Sequence, residues 1–112
     1  MVEVTRCGIG NAIRNGTCAD NPIVITRYLD SIDSTAELIF CERERVALYL
    51  NTTQILLDTI CDTLIPMHWR QMCLDQIYRP LLNAERLISH PEDRVKFARL
   101  QVEMHTLVPY FL

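Results

Sequence analysis

The sequence predicts an all-α fold, a small antiparallel helical bundle or a short helical stack of four to six helices. Three observations carry this reading. Apolar residues recur three and four apart over most of the chain, which is the spacing of one helix face. Prolines stand at the openings of several such runs, at Asn21-Pro22, Pro66 and His90-Pro91, where the missing N–H has no intrahelical partner to lose. The connections between runs are only a few residues long, which favours neighbours packed back on one another.

The length of 112 residues fits one domain, residues 1–112, large enough to bury a core without staples. Residues 1–18 form an irregular N-terminal segment that holds all three glycines, Gly8, Gly10 and Gly16. A short helix over about 3–14 is open to it, weakened by those glycines. Gly8-Ile9-Gly10 does not make a phosphate-binding loop, because Ala12-Ile13 follows where a third glycine is needed and no strand clearly precedes it.

Asn21-Pro22 opens the next helix, with asparagine as cap and proline in the first turn. Ile23, Val24, Ile25, Tyr28 and Leu29 follow. The β-branched cluster would also suit a strand, but a lone strand has nothing to pair with. Ser34-Thr35-Ala36-Glu37 has the capping-box pattern and is read as opening a third helix. Val46, Leu50, Thr53, Leu57, Ile60 and Leu64 mark one face of it, and Cys41, Leu48 and Ile55 mark a second stripe beside it. Unbroken to Pro66, this helix would run about 45 Å. Asn51-Thr52-Thr53, three weak helix formers, is the expected break or bend. A helix apolar on two sides is either central to a bundle or paired outside it.

Pro66 opens a helix whose stripe is Trp69, Cys73, Ile77, Leu81, Ala84 and Ile88. Pro80 interrupts it, predicting a kink or two helices over about 66–78 and 80–89. The kink is preferred because the stripe keeps its phase. Ser89-His90-Pro91-Glu92 is read as a second capping box. The last helix carries Phe97, Leu100, Met104, Leu107 and Phe111 on one face, with Val95, Ala98 and Val102 widening it. Glu92, Lys96, Arg99 and Glu103 are spaced for pairing along the opposite face.

The net charge of −3 argues against nucleic acid, which calls for a basic surface. No apolar run reaches the roughly 18–20 residues that span a bilayer, so no membrane partner is expected. Five cysteines, an odd number without C-x-x-C spacing, and the lack of a signal peptide point to the cytoplasm or nucleus, with the cysteines as small buried hydrophobes. Asn15-Gly16-Thr17 and Asn51-Thr52-Thr53 match a glycan acceptor pattern and are read as chance matches. Ten of the eleven basic residues are arginine, which suits interfaces, although codon usage is the plainer explanation.

No catalytic signature emerges, and the chain is not read as an enzyme. His68, His90 and His105 lie far apart, and Cys61, His68 and Cys73, the nearest approach to a metal set, lack a fourth ligand. Asp58 and Asp62 stand one turn apart but suit a solvated helix face. No cofactor or metal is expected. The partner is therefore expected to be another protein, through a scaffold or adaptor surface, or self, through a dimer sharing the 97–111 helix. A small-ligand site or an unrecognised enzyme ranks third. Tyr78, Met104, Leu107, Tyr110 and Phe111 are the expected contact residues, being apolar or aromatic groups at or near the apolar end of the chain. That end, Val108-Pro109-Tyr110-Phe111-Leu112, either tucks into the core, meets a partner, or continues into a longer chain.

Overall fold

The computed structural model describes residues 10–17 and 21–112. Cys7, Cys18, the Gly8-Ile9 pair and the first part of the 3–14 helix lie outside them. Among the described residues from 21 on, five helices form an all-α bundle: α1 (Ile23–Glu37), α2 (Glu42–Ile60), α3 (Met67–Gln76), α4 (Tyr78–Leu87) and α5 (Pro91–Phe111). No strand occurs among the described residues. The radius of gyration of 13.7 Å is close to the ~13 Å expected of a folded chain this long. No helix among the described residues is long and apolar enough to cross a membrane.

Part of the segment expected to be irregular is helical, over residues 10–15. Gly16 ends it with φ +63°, the left-handed conformation that glycine adopts without steric cost. The Gly16 N–H donates to the Ile13 carbonyl and the Thr17 N–H to the Ala12 carbonyl, the paired bonds of a Schellman stop. A Cβ on Gly16 would also come within 3.1 Å of the Ile65 side chain, so space and φ both select glycine.

The long helix read from Ser34 onward breaks elsewhere than expected. Ser34 lies inside α1, which ends at Glu37, and α2 begins at Glu42 after a turn at residues 38–41. Thr35 is engaged in its own helix, its hydroxyl donating to the Ser31 carbonyl, so no capping box forms there. Glu42 and Glu44 instead place negative charge in the first turn of α2, complementing its dipole. Asn51-Thr52-Thr53 does not break the helix. Thr52 and Thr53 are buried, and their hydroxyls donate to the Leu48 and Tyr49 carbonyls one turn back, at 2.8 Å each. A buried Thr53 also leaves the Asn51 sequon closed on one side.

The two apolar sides of α2 make it the central helix, in contact with all four others. Val46, Thr53, Leu57 and Ile60 are buried as expected, whereas Leu64 is 91% exposed because the helix stops at Ile60. From the Trp69 stripe, Trp69, Cys73, Ile77, Leu81 and Ala84 are all buried. The preferred kink at Pro80 is instead a division into α3 and α4 at Ile77. Pro80 then occupies the first turn of α4, where an N–H has no intrahelical acceptor. Ile77 keeps right-handed helical dihedrals, φ −62° and ψ −29°, so the stripe holds its phase across the break.

In α5, Phe97, Leu100 and Met104 are buried, and Leu107 and Phe111 are half-buried. Val95, Ala98 and Val102 do not widen this face; they point to solvent. His90, not Ser89, precedes α5, and no side chain caps it, although Pro91 fills its first turn as expected. α2 and α5 lie side by side in parallel. Arg43 near the start of α2 pairs with Glu92 and Asp93 in the first turn of α5, and the two C-terminal ends meet at Arg70. Glu92 thus serves Arg43 rather than Lys96. The Arg43 guanidinium holds the Asp93 carboxyl below its ordinary pKa.

The described cysteines are free thiols in three environments. Cys73 is fully buried, which pushes its pKa up to about 12. Cys61 is half-buried, and burial raises its pKa. Cys41 departs from the buried reading: it sits in an extended conformation ahead of α2, exposed on the turn after α1.

Candidate interaction surface

The core accounts for most apolar residues, so the informative ones are the large apolar side chains left in water. Several lie on the segments that meet at Arg70: the turn after α2, the start of α3 and the end of α5. Arg70, only 4% exposed, organises this end. Its Nε donates to the Ile60 carbonyl at 2.7 Å and its Nη2 to the Phe111 carbonyl at 2.9 Å. Those are the final residues of α2 and α5, whose last carbonyls lack helical donors and carry the negative ends of the helix dipoles. A planar cation with several fixed donors satisfies both at once.

Around Arg70 the turn at residues 61–66, the start of α3 and the end of α5 converge. Leu64 is 91% exposed, Tyr110 82% and Met67 48%, and the Met67 sulfur lies 4.0 Å from the Arg70 Nη1. Tyr110 meets Phe111 edge to face with ring centroids 5.1 Å apart. The turn itself is held by Asp62, which accepts from Arg14 at 2.7 Å and from the Leu64 N–H. The Arg14 hydrogen bond holds the Asp62 carboxyl below its ordinary pKa. Asp58, its presumed companion, is exposed and accepts from Gln54.

Of the expected contact residues, Tyr110 and Phe111 belong to this end, with Leu107 half-buried one turn before Phe111. Met104 is withdrawn into the core at 5% exposure, because its face of α5 packs on α2. Tyr78 is exposed but stands apart, beside Arg79, whose guanidinium turns to Asp30 and Asp33 of α1. Sequence reasoning took Leu64 and Met67 for core, whereas both are exposed, and gave no role to Arg70. It also missed Phe40, fully exposed on the turn between α1 and α2.

A second feature is polar. Asp33 gathers three donors: the Tyr49 hydroxyl at 3.1 Å, Arg79 Nη2 at 2.6 Å and Asn83 Nδ2 at 3.4 Å. An open cleft of about 450 Å³ lies alongside, walled in part by Glu37, Arg45 and Arg86. Its central carboxylate is already engaged within the bundle, and among the described residues no buried side-chain nitrogen or oxygen lacks a partner. The described residues also hold no group of three or more His, Cys, Asp or Glu placed to bind a metal, Cys61, His68 and Cys73 included.

Burial, with the Asp33 carboxylate next to it, pushes the Tyr49 phenol up to about 12. A raised folded-state pKa stabilises the protonated form, so this contribution is complete below pH ~10, the unfolded value, and is lost as pH rises towards 12. Absorbance titration at 295 nm should show Tyr49 ionising late. Tyr49→Phe should remove that step and flatten the fall in stability between pH 10 and 12. A tyrosine titration with no late component contradicts the Tyr49–Asp33 bond.

No family model matches the chain, and neither the curated proteins nor the solved structures contain a match to it.

Proposed function

We propose that this chain is a non-catalytic protein–protein interaction module, a scaffold or adaptor subunit in the cytoplasm or nucleus. The observation that carries this is the exposure of Leu64, Met67 and Tyr110, large apolar side chains on the segments that the buried Arg70 joins. The Arg70 bonds tie the three surrounding segments together before any partner arrives, so little ordering cost remains on binding. Aromatic side chains on a rigid support are the common anchors of protein interfaces. The free thiols Cys41, Cys61 and Cys73 suit a reducing compartment.

Self-association through the 97–111 face is the weaker reading, because Phe97, Leu100 and Met104 are already committed to the protomer's own core. The test is capture of partners on the full-length protein, followed by titration of the recovered partner in purified form. Leu64→Asp with Tyr110→Asp should weaken that binding at least tenfold, with helicity unchanged because both side chains are exposed. Unchanged affinity removes this surface from the interaction. A wild-type chain that recovers no stoichiometric protein overturns the reading.

A further inference from the structure

Asn15-Gly16 is the only Asn-Gly pair in the sequence. Asparagine is a thermolabile residue, and its weakness is intramolecular. The backbone nitrogen of the next residue can attack the side-chain amide carbon and close a five-membered ring. The new nitrogen–carbon bond forms, the Cγ–Nδ2 bond breaks, and ammonia leaves with the proton that the backbone nitrogen gives up. Water then opens the resulting imide at either carbonyl. One product is aspartate. The other is isoaspartate, whose main chain runs through the former side-chain carbon and is one atom longer. A glycine at the attacking position leaves the approach unhindered, because it has no Cβ. Asn15 is exposed, so water reaches it and ammonia can leave.

The fold opposes this reaction at the atoms it needs. The Gly16 N–H donates to the Ile13 carbonyl, and Asn15 is the last helical residue before the stop. Ring closure requires that hydrogen bond to break and Asn15 to leave its helical dihedrals. The turn is fastened at two further points. Trp69 Nε1 donates to the carbonyl of the fully buried Ile13 at 2.9 Å, and Arg14 pairs with Asp62 at 2.7 Å. Attack therefore waits for the turn to open locally. Once it has happened, the turn cannot close as before. The extra main-chain atom of isoaspartate lies within both bonds of the stop, Gly16 to Ile13 and Thr17 to Ala12. It also displaces Gly16, which packs so closely on Ile65 that an added Cβ would come within 3.1 Å.

We propose that Asn15 is a self-modifying switch: its conversion to isoaspartate is gated by opening of the N-terminal turn and makes that opening permanent. Trp69 and the Arg14–Asp62 pair are the lock. None of Leu64, Met67 and Tyr110 takes part in the step, so the interaction surface and the switch can fail separately.

The test ages the full chain in mildly alkaline buffer and follows residues 10–17 by peptide mass spectrometry, which registers the exchange of amide for acid. Isoaspartate should accumulate at Asn15, at least tenfold more slowly in the folded chain than in guanidinium chloride. Arg14→Gln and Asp62→Asn each remove the charge pair. Each should speed the folded-state conversion about two- to fivefold, the range for a partly exposed pair, with no change in denaturant. Asn15→Gln should stop it, since the longer side chain must close a six-membered ring. The converted chain should show Trp69 emission moved to longer wavelength and faster amide exchange over residues 12–17. Aged Asn15→Gln should show neither change. Equal rates in the folded chain and in denaturant overturn the gate. A folded chain that never converts, even with Arg14→Gln, removes the site. Conversion that leaves Trp69 emission and the exchange of the turn unchanged overturns the switch.

Discussion

Replacing Trp69 with alanine should cost about 3–5 kcal/mol of stability, the range for emptying a large aromatic from a core. Trp69 is fully buried and is the largest such side chain. It also does more than fill space. Its indole N–H donates to the Ile13 carbonyl at 2.9 Å, fastening the N-terminal helical turn to α3 across 56 residues of chain. Alanine leaves a cavity beneath Ile65 and Gly16 and removes that donor, leaving the Ile13 carbonyl with the Gly16 N–H alone, and the lost hydrogen bond adds about 0.5–1.5 kcal/mol. Set against total stabilities of about 5–15 kcal/mol for ordinary domains, the variant should be substantially unfolded near physiological temperature. Urea denaturation followed by circular dichroism measures this, since the only tryptophan is lost. Trp69→Phe separates the two contributions: it keeps most of the apolar volume and gives up the hydrogen bond, so its cost should be nearer the lower figure. A melting temperature for Trp69→Ala close to that of the wild type would contradict the burial and the bond together.

Arg70→Met should be the next most damaging single change, at about 3 kcal/mol or more, since hydrogen bonds to charged groups contribute about 1.5–3 kcal/mol each. Methionine retains much of the apolar stem and none of the donors. The carbonyls of Ile60 and Phe111 then lose the cation that joins them. The loss should be local as well as global: amide exchange should accelerate in the last turns of α2 and α5 well before the rest of the bundle opens. Arg70→Lys keeps the charge but not the fork, so one ammonium can serve one carbonyl well and not both, giving an intermediate loss. Because Arg70 underlies the Leu64–Tyr110 surface, partner binding should weaken in step with that local exchange. Fast exchange throughout the chain would instead mark Arg70 as a general core residue.

How much of this was legible in sequence can be argued from particular residues. The run from Trp69 to Ala84 was readable because one periodicity persisted through a proline, and burial followed it. The turn at residues 38–41 was not, because Ser34 to Glu37 carries a capping pattern that a helix interior satisfies equally well. The better signal was Glu42 and Glu44, acids in the first turn of a helix that starts at Glu42. Thr52 and Thr53 were expected to weaken α2 because threonine is a poor helix former. Inside the bundle each hydroxyl bonds its own preceding turn, which makes the residue compatible with both burial and helix. Gly16 had been taken with the other glycines as a mark of irregularity, when its position after a helical turn made it a stop signal.

The surfaces divide the same way. Tyr110 and Phe111 were visible as an apolar end, but Met104 was drawn into the same group because it shares the stripe of Leu107 and Phe111. Arg70 carried no sequence signal at all: its acceptors lie 10 and 41 residues away and are backbone atoms.

The helical class, the helix starts at Pro66 and Pro91 and the inward faces of α3, α4 and α5 were all readable from residue order. Each of these depends on spacing along a single helix, and a 3.6-residue repeat is written directly in residue order. That α2 is central, that α5 lies parallel to it, that Val95 and Val102 face water, and that one arginine closes two helices all follow from how the helices pack. Exposure and long-range hydrogen bonding depend on which element lies opposite, a relation between distant segments that a local pattern does not encode.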